Sequence, residues 1–282
     1  MRVLVAGATG FTGRRLVPAL RAAGHDVTAF VRASSDPDVV RSLAVPVVPG
    51  DLADVDALAR ALAPVEALLC VASLGFGHAP GLVAAVGRAG GRRSVYVGTT
   101  AVRTTLPAPS KAVRLEAERV VLGGDVPATL LRPTMVYGAP GDRNLERLLR
   151  FVRRSPVVPV PGGGRGRMQP VHVDDLVAAL VAVLPRADLA GRAFDVPGPT
   201  PLTFSELVRT VARVLDRRRL FPRVPRFVGR LVASREQLLR LDEDKSADPR
   251  PAADAFGFAP RPLEDGLRAE ARALGLLSGA SA

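Results

Sequence analysis

The sequence predicts an α/β fold, a doubly wound parallel sheet carrying a smaller C-terminal lobe. Three observations predict it. Short apolar runs rich in Val and Leu alternate with helical patterns through the first half of the chain. A glycine-spaced turn stands between the first run and the first helical pattern. After Arg132-Pro133 the alternation gives way to helices separated by Pro- and Gly-rich connections. At 282 residues, 48% of them hydrophobic, the chain can bury one large core or two unequal ones.

Taken in order, the runs near residues 2–6, 27–31, 45–48, 67–71, 94–97 and 128–131 read as buried parallel strands. Helical patterns fill the intervals at about 11–23, 54–63, 80–90 and 110–122. The last sets an Arg/Glu face (Arg114, Glu116, Glu118, Arg119) opposite Val113, Val120 and Val121. Strand–helix repetition of this length means right-handed crossovers within one sheet. Further helices are expected near 143–153, 174–184, 203–215 and 263–274, with Val171-His172-Val173 and Phe194-Asp195-Val196 returning to the sheet. The division that follows is a core over roughly 1–132, rejoined by 171–196, and a lobe from 133–170 and 197–282. A small-molecule pocket belongs between them.

The formal charge is +12, but the arginines are scattered and aromatic residues make up only 4%. That favours a solvated basic face attracting anionic small molecules over nucleic-acid binding. The densest cluster is Arg217-Arg218-Arg219, followed by Arg223, Arg226 and Arg230. No apolar run approaches the roughly 20 residues of a membrane span, and the chain opens directly into a strand, so a cytoplasmic protein is expected. Cys70 lies in an apolar run and is expected to be a buried, inert thiol. Three separated histidines and one cysteine do not make metal-ligand spacing. No Gly-x-Ser-x-Gly elbow or paired-carboxylate arrangement is present. The basic residues are almost all arginine. Lys111 and Lys245 are the lysines, and Lys111 draws notice because a lysine can shift its pKa where an arginine cannot.

The glycine turn reads Gly7-Ala8-Thr9-Gly10-Phe11-Thr12-Gly13. It follows a strand and opens a helix, which is the setting of a Rossmann dinucleotide site. Gly7 permits the tight turn, Gly10 lets backbone approach a pyrophosphate, and Gly13 allows close helix–strand packing. The second strand ends Val31-Arg32, with no acid until Asp36. A carboxylate there would select NAD(H); Arg32, with Arg14 nearby, attracts a 2′-phosphate and favours NADP(H). Asp51, after the third strand, is a candidate for the adenine amino group or an N-cap. Leu52, Ala72, Ser73, Pro133 and Thr134, near the C-terminal ends of successive strands, complete the expected cofactor contacts together with Lys111.

GATGFTG at Gly7–Gly13, Gly50-Asp51-Leu52, the run Leu131-Arg132-Pro133-Thr134-Met135-Val136-Tyr137-Gly138 and Val171-His172-Val173-Asp174-Asp175 together resemble the extended short-chain dehydrogenase/reductase superfamily. More narrowly they resemble its NAD-dependent epimerase/dehydratase branch, from Met1 to about Leu274. The resemblance implies a Ser or Thr after the fifth strand, assisting a tyrosine whose pKa is lowered by a lysine four residues on. Thr99 and Thr100 hold the first position. Counting back four from Lys111 gives Pro107, and alignment on Glu118 gives Ser110 and Arg114, so neither alignment supplies a tyrosine.

Three readings stay open. Lys111 acts alone beside the nicotinamide, with Thr99 and Thr100, as in similar atypical reductases. Another group substitutes, with Tyr137 or His78 as candidates, while His172 reads as a buried, hydrogen-bonded histidine beside Asp174 or Asp175, which caps the next helix. Or the protein binds NADP(H) without turning it over, as a sensor or assembly subunit. The first implies an oxidoreductase acting on a small-molecule carbonyl, alcohol or activated double bond, with His78, Thr134 and Tyr137 flanking substrate or nicotinamide. A nucleotide-sugar epimerase, dehydratase or reductase would use Arg143, Asn144, Arg165 and Arg167 on a diphosphate. The resemblance permits a monomer or a homodimer.

Overall fold

The computed structural model describes residues 1–106, 108–138, 140–142, 144–161, 166–225 and 243–277. Strand and helix alternate at first: β1 (Arg2–Ala6), α1 (Gly13–Ala22), β2 (Asp26–Val31), α2 (Pro37–Ser42), β3 (Val47–Pro49), α3 (Val55–Leu62), β4 (Ala67–Cys70), α4 (Ala79–Arg88), β5 (Arg93–Val97), α5 (Pro109–Gly123) and β6 (Ala128–Pro133). The chain then forms β7 (Val136–Tyr137), α6 (Leu145–Arg154), β8 (Val160–Pro161), β9 (Arg167–Met168), β10 (Val171–His172), α7 (Val173–Val183) and β11 (Arg192–Val196). It continues through β12 (Leu202–Thr203), α8 (Phe204–Val214), β13 (Arg223–Val224), α9 (Arg250–Phe256) and α10 (Leu263–Ala273).

Seven strands make one sheet in the order β11-β6-β5-β4-β1-β2-β3, and every pairing in it is parallel. Successive side chains on a strand point to opposite faces, so each apolar run feeds two cores. On β1, Val3 and Val5 join a core with Leu16 and Leu20 of α1 and Leu176 and Leu180 of α7. Leu4 and Ala6 join the other, with Leu58 of α3, Leu82 of α4 and Val121 of α5. Runs buried on both faces need no polar alternation, which is why they read as continuous Val/Leu. Cys70 is fully buried in the second core, and burial pushes its thiol up to about 12, so it is inert at neutral pH. No described helix is long and apolar enough to cross a membrane.

A third core builds the smaller lobe from Leu145 and Leu149 of α6, Leu207 and Val211 of α8, and Leu267 of α10, with Tyr137 at its inner end. The amphipathic spacing of α6 and α8 gives each a single apolar stripe for this purpose. A Thr203–Glu206 capping box fixes the start of α8. Arg219, from the basic cluster, donates to the carbonyls of Val152 and Arg153 and so closes the C-terminal end of α6.

Several expectations need correction. Phe194-Asp195-Val196 does enter the main sheet, pairing with β6. Val171-His172 does not; it pairs with β7 in a separate two-stranded ribbon, because His172 turns at once into α7. Neither Asp174 nor Asp175 caps α7. The cap is His172, whose Nδ1 accepts the Asp174 N–H at 3.2 Å, freeing the two carboxylates to pair with Arg15 and Arg261. On α5, Val121 is buried and Glu116 and Arg119 are exposed as expected, but Val113 is exposed and Glu118 is buried, because Glu118 pairs with Arg132. Helix α2 had no periodic signature: none of its residues is buried, and its Asp36 cap, accepting the Asp38 N–H at 2.9 Å, is its clearest mark.

Candidate active site

The sheet reverses direction of growth between β1 and β4, and ligands of such sheets bind at that switch point, beyond the C-terminal strand ends. The glycine turn lies there. Gly7 follows β1 with φ +85°, and a Cβ on it would stand 2.7 Å from the Ala72 N after β4. A Cβ on Gly13 would overlap the Gly7 carbonyl oxygen and the Ala8 backbone, so any larger residue forces α1 off the sheet. Backbone alone closes the turn: Gly10 N donates to Gly7 O at 3.1 Å, and Arg14 N to Gly10 O at 3.0 Å. No side chain caps α1 at Thr12 and no acid occupies its first turn, which leaves the positive end of the helix facing the turn. Bare backbone, a helix N-terminus and no competing carboxylate are what a dinucleotide pyrophosphate needs, so the turn fits that cofactor. Thr9, Phe11 and Thr12 surround it, and Thr12 extends into the adjoining cleft.

Around the adenosine end, Arg32 is exposed just beyond β2 and makes no ion pair among the described residues. Arg14 is also exposed, with its guanidinium about the Gly141 turn, 3.8 Å from where a Gly141 Cβ would stand. Asp51 accepts the Ala53 N–H at 2.9 Å in a local turn, while the N-cap of α3 is Asp54, accepting from Ala57 at 2.9 Å. Leu52 packs against the second core.

From the turn a cleft of about 240 Å³ runs across the ends of β4, β5 and β6. Thr12, Ser73, Thr99, Pro133 and Thr134 line it, as do two residues of α5, Arg114 and Glu118. Hydrogen bonding sorts the hydroxyls. Thr99 and Ser73 accept backbone N–H groups from Ala101 and Gly75, both at 3.2 Å, which leaves each O–H to donate into the cleft. Thr100 donates to Pro133 O at 3.4 Å, and Thr134 donates to Gln169 O, so both of these protons are committed to backbone. Gln169, buried, ties the seam further by donating to Gly198 O at 2.7 Å and accepting from Ala247 N at 3.0 Å.

Beneath the cleft lies an ion-pair chain. Arg132 of β6 grips Glu118 in a fork, with Nε and Nη2 at 2.9 and 2.7 Å from Oε2. Asp195 of β11 lies 3.9 Å from Arg132 and 2.5 Å from Arg103. Gly98 makes room, since a Cβ there would come 2.9 Å from Glu118 Oε1. Arg114, one turn before Glu118, lies over Gly75 with its Nε 3.0 Å from where that residue's Cβ would be.

Lys111 is not brought to the cleft. Its Nζ donates to Thr104 O at 2.6 Å, in a loop that Glu243 also holds by accepting from Thr104 Oγ1 and Thr105 N, each at 2.6 Å. Arg114 was named in the sequence only as the second member of an alternative alignment; its helical phase with Glu118, i and i+4, is the signal that marks it. Tyr137 is buried in the lobe core, edge-on to His172 at 5.3 Å and donating to Leu263 O at 3.4 Å. The expectation that it flanks substrate is therefore corrected: Gly266 of α10 packs on its hydroxyl and seals it in. The chain's two tyrosines are Tyr96 and Tyr137, each only 1% exposed, and neither lines the cleft. His172 is buried, which lowers its pKa, and Arg261 lowers it further. His78 stands half-exposed before α4 near the exposed ring of Phe76, outside the cleft lining. Asn144 is exposed at the start of α6, and Arg167 is exposed on β9, away from the cleft. Arg143 and Arg165 lie outside the described residues.

Behind the glycine turn, the loop before α6 meets α10. Asp142 accepts the N–H groups of Asn144 at 2.6 Å and Leu145 at 2.9 Å. Glu270 of α10 is fully buried beside it, and no N–H or hydroxyl donor of the described residues reaches its carboxyl oxygens. Burial first, then the Asp142 charge, pushes the Glu270 carboxyl up to about 9.

Known proteins resemble this chain in the same terms. A family model described as NAD(P)H-binding matches residues 7–148, and one for the NAD-dependent epimerase/dehydratase family matches residues 111–196. Ceramide reductase of Caulobacter vibrioides is 33% identical over 239 residues, spanning 79% of this chain and 73% of that protein. A 3-diazoavenalumate denitrifying reductase of a Streptomyces species is 31% identical over 275 residues, spanning 81% of this chain and 88% of its own. The crystal structure of a nucleoside-diphosphate-sugar epimerase from Pseudomonas aeruginosa matches with TM-score 0.78 at 22% identity, covering 99% of both chains, a likeness of fold.

Proposed function

This chain belongs to the NAD(P)-binding, epimerase/dehydratase-type extended short-chain dehydrogenase/reductases, and from that premise we propose that it is an NADP(H)-dependent oxidoreductase of small molecules. The observation that carries the reading is the continuity of the glycine cradle with a cleft lined by hydroxyls whose protons are uncommitted. Gly7, Gly10, Gly13 and Thr12 hold the pyrophosphate, and Ala72 and Ser73 flank the nicotinamide end. When bound, such a cofactor supplies hydride transfer to or from a carbonyl, alcohol or activated double bond. Thr99 and Ser73 donate hydrogen bonds to the reacting oxygen from the β5 and β4 ends. The part of Arg114 is to hold negative charge.

Arg32 selects NADP(H) by meeting the 2′-phosphate where an NAD(H) site would carry an acid. The test is a nicotinamide-fluorescence titration of the purified protein with NADPH and with NADH. NADPH is expected to bind at least about tenfold more tightly, and Arg32→Asp to abolish that preference. Equal affinity for the two in the wild type would remove the assignment to NADP(H). Stereospecific hydride exchange from NADPH across a panel of carbonyl compounds tests the enzymatic part.

A second reading is a protein that binds NADP(H) without reacting it. The burial of both tyrosines favours it. Tight NADPH binding with no hydride exchange on any carbonyl of the panel would select it.

A further inference from the structure

The cleft carries more positive charge than its own carboxylates answer. Arg114 and Glu118 line it, while Arg103, Arg132 and Asp195 form the ion-pair chain beneath, so that three guanidiniums face two carboxylates. Glu118 is taken by both nitrogens of the Arg132 fork, and Asp195 lies between Arg103 and Arg132. Arg114 is left over. It makes no hydrogen bond or ion pair among the described residues, yet it is half-buried in the cleft wall rather than splayed into solvent. Its seat is made for it, since Gly75 is the residue on which a Cβ would crowd its Nε, at 3.0 Å, and Ser73 Oγ, at 3.3 Å. A guanidinium held in the cleft wall without a protein partner is open to an arriving anion.

We propose that Arg114 is the anchor for an anionic group of the substrate, a carboxylate or phosphate whose paired oxygens match the guanidinium fork. This rests on the oxidoreductase reading and narrows its substrate class to small acids or phosphate esters. The anion sits between the β4 and α5 walls, and the hydroxyls of Ser73 and Thr99 lie on the same lining to meet the substrate's reacting oxygen. The surplus of basic residues over the whole chain, 39 against 27 acidic, steers such a molecule toward the cleft.

The test uses the full-length protein saturated with NADP⁺ and reads binding by calorimetry, not turnover. Malonate and inorganic phosphate are titrated, with malonamide as the uncharged control. At least one anion should bind about tenfold more tightly than malonamide, and Arg114→Gln should erase that difference while Arg114→Lys retains part of it. Whichever anion shows the effect distinguishes an acid from a phosphate ester. The affinity for NADP⁺ should change less than about twofold in Arg114→Gln. The proposal is overturned if both anions bind no better than malonamide, or if Arg114→Gln leaves their binding unchanged. It is equally overturned if that variant weakens NADP⁺ instead, because Arg114 would then serve the cofactor. If the wild type binds no dinucleotide at all, the oxidoreductase reading fails separately, and the same anion titrations on the free protein decide the role of Arg114.

Discussion

The two ends of the cleft are made of different material. At the glycine turn, backbone does the work: Gly7 and Gly13 fit where a Cβ would strike the Ala72 N or the Gly7 carbonyl, and the end of α1 supplies the charge. At the far end the lining is side chains, Arg114, Thr99 and Ser73, over the Arg132–Glu118–Asp195–Arg103 chain. A backbone-made site tolerates little, because its shape is set by absent atoms. A side-chain-made site can be rewritten one residue at a time while the fold stands. That is how a chain can keep the nucleotide turn of its family while neither of its tyrosines lines the cleft.

The sharpest break of the contrast is at Gly13. Gly13→Val should raise the Kd for NADPH on the order of a thousandfold, ~4 kcal/mol, in a fluorescence titration. A loss under tenfold with an intact circular-dichroism spectrum would show that side chains, not backbone, hold the cofactor. At the other end, Arg132→Met should destabilise the protein by about 3 kcal/mol in urea melts, because it leaves Glu118 buried without its partner. The double variant with Glu118→Met should regain more than half of that loss; no recovery would mean the pair is not the unit removed.

The buried Glu270 sharpens the comparison by pH. Its folded-state carboxyl, at about 9, lies above the ordinary 4.5, so its contribution is fully present below pH 4.5 and is lost as pH rises toward 9. Stability should therefore fall through that window by up to about 1.4 kcal/mol per pH unit from this group. Glu270→Gln should flatten the fall, making the variant more stable than wild type at pH 8 and equal to it near pH 4.5. Parallel stability curves for the two proteins would refute the assignment. The smallest effect is expected at Lys111. With its Nζ on Thr104 O, Lys111→Met should cost no more than about 1 kcal/mol of stability and leave NADPH affinity within twofold. A collapse of hydride exchange in that variant would return the lysine to the reaction centre.

How much of this was legible follows the same divide. The strands of the sheet announced themselves because both faces of β1, β4 and β5 are buried, and the turn because glycine spacing is a direct record of backbone approach. The paired strands of the lobe, two residues each, carry too short a period to read. Glu118 looked like surface charge, since nothing in sequence shows that Arg132, fourteen residues on, closes over it. Tyr137 and Lys111 looked reactive because their residue types are; only tertiary packing by Gly266 and Thr104 decides otherwise.

The helical stripe on α5 has a consequence for reversibility. Positions 110, 114 and 118 recur every fourth residue and so rise along one side of the helix, with 114 and 118 on the cleft wall. Aligned on Glu118, the tyrosine and lysine positions that the family resemblance implies fall on Ser110 and Arg114. Ser110→Tyr with Arg114→Lys would set that pair four residues apart on one side of the helix. In mutational distance that pair is two substitutions away, and each of the two is a change of side chain alone.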